Sequence, residues 1–329
     1  MSLRIFLQAP WHWIGSTACA LIVFTWLMTL LGAAYAFFRE DYHGEPRTLR
    51  GFARFLLPRG MIRDRQIRLD ITFIIAKKLT RCAWGWAFVG NFTVAYVVHR
   101  GLSLIASAGT LLPHAPGPGE QALFFAGAIA AQDFMNFLGH WLMHKVPALW
   151  AFHKVHHSAT LLTPMTEHRV HPVQEILDYL SISLGGGIVI GLYSWLTARP
   201  LIDAAILGVQ AYFLVGCLTF YQLRHSHIHL RYPRWLELVL MSPAQHQIHH
   251  SREQRHLDRN FGVMFACWDQ LFGTIAYTGP LPVTKFGLVE DQAAYESVWR
   301  FFAMPFVELG RALFTAPRKA AARYYLHRG

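Results

Sequence analysis

Two segments of this chain repeat the spacing His-x-x-His-His, and a His-x-x-x-His pair precedes them. The eight residues are His140, His144, His153, His156, His157, His246, His249 and His250. Positions three and four apart lie on one face of an α-helix, so the spacing predicts that each segment aims its imidazoles at a single point. Imidazole nitrogens that converge in this way hold a metal ion. The sequence therefore predicts a histidine-rich metal site.

A third histidine-rich segment, residues 224–229, adds His225 and His229 as candidate ligands. A metal ion takes about three to five imidazoles, so this many candidates predict two metal ions. No cysteine accompanies the histidines and no His-Glu-x-x-His motif occurs, which argues against a structural zinc module and against a zinc protease. Imidazole ligands alone leave zinc, copper, iron and nickel open.

The composition predicts that the elements around this site lie in a membrane. Hydrophobic residues make up 53% of the 329 residues, and the mean hydropathy is +0.27, which is unusual for a soluble protein. A bilayer has a hydrocarbon core of about 30 Å, which a run of about 20 apolar residues crosses. The predicted spans are Ile14 to Phe37, Cys82 to Val98, Ala122 to Met143, Ile176 to Leu196 and Leu201 to Leu223. We therefore expect an all-α, polytopic membrane protein with about five spans arranged as hairpins.

The distribution of charge predicts the orientation of these spans. Between Arg39 and Arg81 there are eleven Lys or Arg residues against five Asp or Glu residues, whereas residues 113–120 contain no Lys or Arg. The positive-inside rule places the first segment in the cytosol and the second outside. All histidine segments then lie on the cytosolic face, where the chain from Arg224 onward is predicted to form a helical cap that carries the two-metal site. The expected location is a bacterial inner membrane, or the endoplasmic reticulum in a eukaryote.

The formal net charge of +11 is compatible with binding to nucleic acid or to anionic lipid. The basic residues flank the hydrophobic spans, and no nucleic-acid recognition module is evident. Attraction to anionic lipid headgroups is the better explanation. No nucleic-acid partner is predicted.

The order of the histidine segments, with Asn-Phe-Gly at 260–262 and Trp-Asp-Gln-Leu-Phe-Gly-Thr at 268–274, resembles a known superfamily. It is similar to the fatty acid hydroxylase and sterol desaturase superfamily of integral-membrane di-iron enzymes, and looks like their bacterial members. The resemblance runs from about Asp133 to Thr274. It divides the chain into a membrane anchor with a basic cytosolic segment (1–120), a fatty acid hydroxylase-like catalytic domain (121–280) and a basic, partly helical tail (281–329).

This resemblance implies an oxidoreductase that uses O2 and two iron ions to abstract hydrogen from an unactivated C–H bond of a membrane lipid. Zinc is expected as a substituting ion in recombinant protein, because it binds nitrogen ligands more tightly than ferrous iron. The chain shows no flavin, ferredoxin or cytochrome motif, so an external electron donor of the ferredoxin or cytochrome type, with its reductase, is implied.

The resemblance also assigns roles to individual residues. It places the family's three histidine boxes on the eight histidines above and adds His225 and His229 as ligands, with His227 as an alternative that aligns with a water-binding position. Arg169 and His171 look like the family's Arg-x-His-Pro element, although Gln174 stands where an acidic residue is common. Asp133 lies two helical turns before His140 and is the predicted partner that orients the imidazoles; Asp269 is a second candidate. The predicted catalytic residues are Asp133, Arg169 and His171.

Several alternatives remain at this stage. Desaturation and hydroxylation begin with the same hydrogen abstraction, and hydroxylation is favoured by the likeness to bacterial lipid hydroxylases. The substrate classes are a fatty acyl chain, an aminolipid such as an ornithine lipid, a sterol or hopanoid, and an alkylglycerol. A metal transporter also gathers histidines, but its sites lie near the bilayer midplane rather than at the ends of spans. A bis-histidine haem protein leaves the repeated triplets unexplained.

Overall fold

The computed structural model describes residues 11–40, 43–85, 90–109, 111–112 and 116–311. Within these ranges all regular structure is helical, and two isolated β-bridges join Leu240 to Phe265 and Ser251 to Phe286. The α-helices are α1 (Trp11–Arg39), α2 (Leu49–Leu56), α3 (Arg65–Leu79), α4 (Arg81–Trp84), α5 (Asn91–Ser103), α6 (Pro118–Lys145), α7 (Pro147–His157), α8 (Pro172–Thr197), α9 (Leu201–Leu218), α10 (Pro243–His249), α11 (Cys267–Leu271) and α12 (298–311). The all-α prediction is confirmed for the described residues.

Three of these helices are long and apolar enough to cross a membrane: α1 over Ala20–Arg39, α6 and α8. Their outward faces are apolar as well; Val23 and Trp26 of α1 are 67% and 64% exposed. Large apolar side chains are left uncovered in this way when lipid surrounds a helix. The chain therefore has the helices of an integral membrane protein.

The other two predicted spans correspond to shorter helices. The stretch from Cys82 to Val98 falls on α4 and α5 with residues 86–89 outside the described part, and α5 has 13 residues, a length of about 20 Å. The stretch from Leu201 begins with α9, which has 18 residues. The outer turn predicted at 113–120 is described only from residue 116 onward.

Helix α8 packs against both α5 and α6 through glycines. A Cβ atom on Gly185 would lie 2.2 Å from the Ala131 carbonyl oxygen of α6, and one on Gly191 would lie 2.5 Å from the Ala95 carbonyl oxygen of α5. Small residues allow helix backbones in a membrane to approach this closely. The contact fixes α6, whose last two turns carry His140 and His144, against α8.

We expect Gly185→Ala to destabilise the protein by about 1–3 kcal/mol, because the new methyl group forces α6 and α8 apart. Thermal unfolding in detergent measures this. Gly127→Ala is the matched control, since a Cβ atom on Gly127 meets nothing within 4 Å and alanine favours the helix. Equal melting temperatures for the two variants would contradict the close approach of α6 and α8.

Candidate metal centre

Nine histidines form two adjoining groups in which one ring nitrogen of each lies within 4.8 Å of the others. The five-histidine group contains His140, His144, His153, His157 and His249. The four-histidine group contains His156, His225, His246 and His250. The groups touch where the rings of His157 and His250 stack, with centroids 4.5 Å apart and planes at 20°.

Each His-x-x-His-His triplet is divided between the two groups, so the prediction that one triplet serves one point is wrong. His153 and His157, one helical turn apart, share a group, whereas His156 belongs to the other. The second triplet shows the reverse pattern: His246 and His250 share the four-histidine group, and His249 reaches across to the five-histidine group. Each triplet therefore contributes one histidine to the group that holds the other two histidines of the opposite triplet. As a result, both groups contain histidines from the α7 segment and from the α10 segment.

Four chain segments bring these histidines together. His140 and His144 lie on the last two turns of α6, and a single residue, Val146, separates α6 from α7. Proline at the first position of α7 fixes where that helix begins, because its missing N–H is not needed there. His225 follows α9 in a turn, and α10 begins at Ser242, whose hydroxyl accepts a hydrogen bond from Gln245 N. The five-histidine group therefore lies at one end of the α6 membrane helix.

Backbone carbonyls orient two of the rings. The Nδ1 atoms of His140 and His249 lie 2.8 Å from the carbonyl oxygens of Phe261 and Arg259, respectively. A carbonyl only accepts hydrogen bonds, so Nδ1 donates and Nε2 presents its lone pair to the group. Partners of this kind fix the tautomer of a metal ligand.

The loop that supplies these carbonyls is held by the Asn-Phe-Gly segment. Asn260 adopts a left-handed conformation with φ of 57°, and its side-chain amide donates to the carbonyl oxygens of Gln245 and Ala276, both at 2.9 Å. Glycine is required at position 262, where a Cβ atom would lie 2.6 Å from the Phe265 carbonyl oxygen. The motif thus positions acceptors for the ligands, and its Phe261 ring packs edge-on against His140, His144 and His249.

The two predicted orienting aspartates act on this loop and not on an imidazole. Asp269 accepts hydrogen bonds from the backbone N–H groups of Phe261 and Gly262, at 2.8 and 2.7 Å. Asp133 accepts from Met264 N, Phe265 N and the Trp268 indole, at 2.9–3.0 Å. Asp133 therefore anchors the loop to α6, and its effect on His140 passes through the Phe261 carbonyl.

Glu167, which the sequence analysis did not single out, orients His225. Its carboxylate accepts a hydrogen bond from His225 Nδ1, from the Tyr221 hydroxyl, and from Arg224 through Nε at 3.2 Å and Nη2 at 2.9 Å. Burial alone would raise the pKa of Glu167, but the charge of Arg224 and the hydrogen bonds hold it well below its usual range. The signal in the sequence was an acidic residue two positions before Arg169, which gains meaning only from its contact with His225.

The imidazole nitrogens fit a pair of bound cations. Neighbouring Nε2 atoms are 2.9–3.2 Å apart in both groups. Two ligands bound at about 2.1 Å to one ion, at an angle near 90°, are about 3.0 Å apart. Burial, and then the charges of neighbouring groups, lower the pKa of His153, His156, His157, His246 and His250 well below the usual value. These rings are therefore neutral at pH 7 and have lone pairs to offer.

The structure places the remaining predicted residues outside the two groups. His229 is buried, and its Nε2 lies 3.2 Å from the Gly279 carbonyl oxygen. The His171 side chain caps α8, since its Nδ1 accepts from Val173 N at 3.1 Å, and burial lowers its pKa to about 4. Arg169 is fully buried and binds Asp70, with Nη2 2.6 Å from Gln66 Oε1. Arg169 and His171 thus hold the loop between α7 and α8 against α3 and α12.

A cavity of about 480 Å³ reaches both histidine groups. It is lined by His144, His157, His249 and His250, by Trp150, and by the charged residues Lys154, Arg252, Asp258 and Glu290 among others. The charged lining distinguishes this cavity from the apolar outer faces of the membrane helices.

Comparison with known proteins identifies the family of this region. Residues 125–274 match the family model for fatty acid hydroxylase. Alkylglycerol monooxygenase from Caenorhabditis elegans is 28% identical over 171 residues, which are 52% of this chain and 30% of that protein. The human alkylglycerol monooxygenase is 26% identical over 198 residues, 57% of this chain and 40% of that protein.

Ornithine lipid hydroxylase OlsE from Rhizobium tropici is 31% identical over 180 residues, 54% of this chain and 49% of that protein. The chain thus spans less than half of the length of each of these relatives. No solved structure is significantly similar to it. Both histidine groups fall inside the matched region, and the sequence resemblance is confirmed: residues 125–274 match the fatty acid hydroxylase family model, and the relatives over the same region are lipid hydroxylases and monooxygenases.

Proposed function

We propose that this protein is an O2-dependent di-iron oxidoreductase that hydroxylates the alkyl or acyl chain of a membrane lipid. The observation that carries the proposal is the pair of adjoining groups in which every candidate ligand is an imidazole. Such ligands suit iron, zinc, copper and nickel, and disfavour calcium and magnesium. The family match and the names of the relatives, monooxygenase and hydroxylase, support iron and hydroxylation among these choices.

Two bound iron ions would supply the activation of O2 and the removal of hydrogen from an unactivated C–H bond. The chain's own residues hold the ligands in place: the carbonyls of Arg259 and Phe261 and the Glu167 carboxylate each accept a hydrogen bond from an Nδ1–H group. These contacts keep three Nε2 lone pairs aimed inward. Burial of the rings excludes bulk water from the ligand atoms, which favours metal binding over protonation.

The position of the centre supports a lipid substrate. His140 and His144 end a helix that is long and apolar enough to span a membrane, which puts the proposed centre next to the bilayer in which lipid chains lie. The three relatives named above act, by their names, on alkylglycerols and on ornithine lipid. For this protein we propose only what those substrates have in common: the substrate is a lipid with an alkyl or acyl chain.

The orientation proposed for the protein places the centre on the cytosolic side of a bacterial inner membrane, with about five spans and a cap formed after Arg224. The excess of basic residues between α1 and α5 supports this orientation. The cytosol supplies the reductase and the ferredoxin-type or cytochrome-type donor that the reaction needs. The charged cavity beside Trp150 is the proposed route by which the donor approaches the metal pair.

We expect lipids of cells that express the chain to gain one oxygen atom relative to cells that express His250→Ala, because loss of a ligand abolishes O2 activation. Comparative lipid mass spectrometry of the two strains tests this. A species that lacks two hydrogens instead would identify a desaturase. Identical lipid profiles, with metal-loaded protein present in the membrane, would contradict lipid oxidation altogether.

We expect purified protein to hold two metal equivalents and His250→Ala to hold about one, because only three ligands remain in the four-histidine group. His229→Ala is the matched control: it removes an equally buried histidine that lies outside both groups, and both equivalents should remain. Elemental analysis of folded, monodisperse protein gives the result. The ligand assignment is wrong if His229→Ala loses an equivalent while His250→Ala retains two.

We expect Glu167→Gln to weaken metal binding at the four-histidine group by about 10- to 100-fold, the usual cost of removing a group that orients a ligand. The five-histidine group should keep its affinity, so a metal titration should show one weak and one unchanged site. Glu40→Gln is the matched control, because Glu40 also binds an arginine through Nε and Nη2 but lies away from the centre. If both sites of Glu167→Gln keep the metal affinity of the parent protein, Glu167 does not orient a metal ligand.

A further inference from the structure

Arg224 has one hydrogen-bonding edge in use and one free. Its Nε and Nη2 atoms both bind the Glu167 carboxylate, and its guanidinium carbon lies 3.7 Å from the centroid of the Tyr221 ring. The third nitrogen, Nη1, is buried, and no described residue accepts a hydrogen bond from it. A buried donor without an acceptor is destabilising, and more so when it is charged. A ligand that carries a hydrogen-bond acceptor would satisfy the Nη1 edge.

Arg224 lies between the metal centre and the membrane helices. It directly precedes the candidate ligand His225, and it follows the turn at 221–223, which packs against α1, α9 and α10. The charge of Arg224 acts on His156 and His246 of the four-histidine group, and also on Asp133 of α6, Asp178 of α8 and Tyr212 of α9. The edge therefore adjoins both the proposed metal pair and the helices beside which a membrane lipid would lie.

The local charges select the kind of group that binds there. Glu167 already neutralises Arg224 through two hydrogen bonds, so little positive charge remains for an anion. The carboxylates of Glu167 and Glu175 both act on Asp178 of α8, whose Oδ2 has Gln174 Nε2 at 3.3 Å, so the same region already holds negative charge. An anionic headgroup is therefore disfavoured, whereas a neutral oxygen that accepts a hydrogen bond satisfies Nη1 without another charge.

We propose that the Nη1 edge of Arg224 binds a neutral carbonyl or ether oxygen of the lipid substrate, which sets the distance between that oxygen and the carbon presented to the metals. The substrate class is then a lipid with an ester, amide or ether link near the oxidised carbon, and a free fatty acid is excluded. This inference rests on the proposed function, because it takes the lipid to be bound for oxidation.

Binding to the full-length protein in detergent, loaded with zinc so that no turnover occurs, tests the subsite. The probes are monopalmitoyl glycerol, hexadecyl glyceryl ether, an analogue of the ether in which a methylene group replaces the ether oxygen, and palmitic acid. We expect the ester or the ether to bind about tenfold more tightly than the methylene analogue, as for one hydrogen bond to a charged donor. Palmitic acid should bind no more tightly than that analogue.

Arg224→Lys should retain the charge that faces Glu167 but lose the Nη1 edge, so the preference for oxygenated probes should disappear while two zinc equivalents remain. Arg231→Lys is the matched control, since Arg231 binds Glu40 with the same two nitrogens, and it should keep the preference. If Arg224→Lys does not fold, the comparison of probes on the parent protein decides the question.

Equal affinity of the parent for all probes, tighter binding of palmitic acid, or an unchanged preference in folded Arg224→Lys would overturn the subsite. These outcomes are separate from the proposed function. A preference for oxygenated probes in a protein that oxidises no lipid would contradict only the proposed function. Lipid oxidation without that preference would contradict only the proposed subsite at Arg224.

Discussion

Nine imidazole nitrogens converge in a buried space, and the repulsion between their lone pairs is the constraint on which the rest of the structure depends. Neighbouring Nε2 atoms lie about 3 Å apart, a separation that is stable when a cation lies between them. In the proposed two-metal centre, α6, α7, α10 and the turn at His225 are held in one arrangement, and the metal ions bind in that arrangement. The proposal therefore couples metal binding to the folding of this region.

Much of the surrounding sequence holds the histidines in place indirectly, through the groups that orient them. The residues that a motif search marks, Asn260, Gly262 and Asp269, shape a loop whose carbonyls orient His140 and His249. Asp133 fastens that loop to a membrane helix, and Glu167 takes the same orienting role for His225. The centre is thus tied to the bilayer-spanning part of the fold through hydrogen bonds to backbone as much as through its ligands.

The sequence predicts what local geometry determines. One helical turn separates His140 from His144, His153 from His157, and His246 from His250, so these pairs share a group whatever the tertiary structure. Whether His156 and His249 join the same group as their neighbours depends on how α7 lies against α10, which no spacing records. Similarly, Glu167 meets His225 only because the loop after α7 returns to the end of α9, a contact across 58 positions of the chain.

The fold follows the same division. Apolar runs predict α1, α6 and α8 because an uninterrupted run of that length has one stable conformation in lipid. The sequence does not predict α4 and α5 correctly, because the apolar stretch expected to form one span is divided between two shorter helices.

X-ray absorption at the iron edge of the iron-loaded protein tests the two-metal, all-imidazole centre most directly. We predict a first shell of nitrogen or oxygen only, the outer-shell scattering typical of about four imidazoles per iron, and an iron–iron vector. Sulfur in the first shell, fewer than two imidazoles per iron, or iron bound at a single isolated site would contradict it.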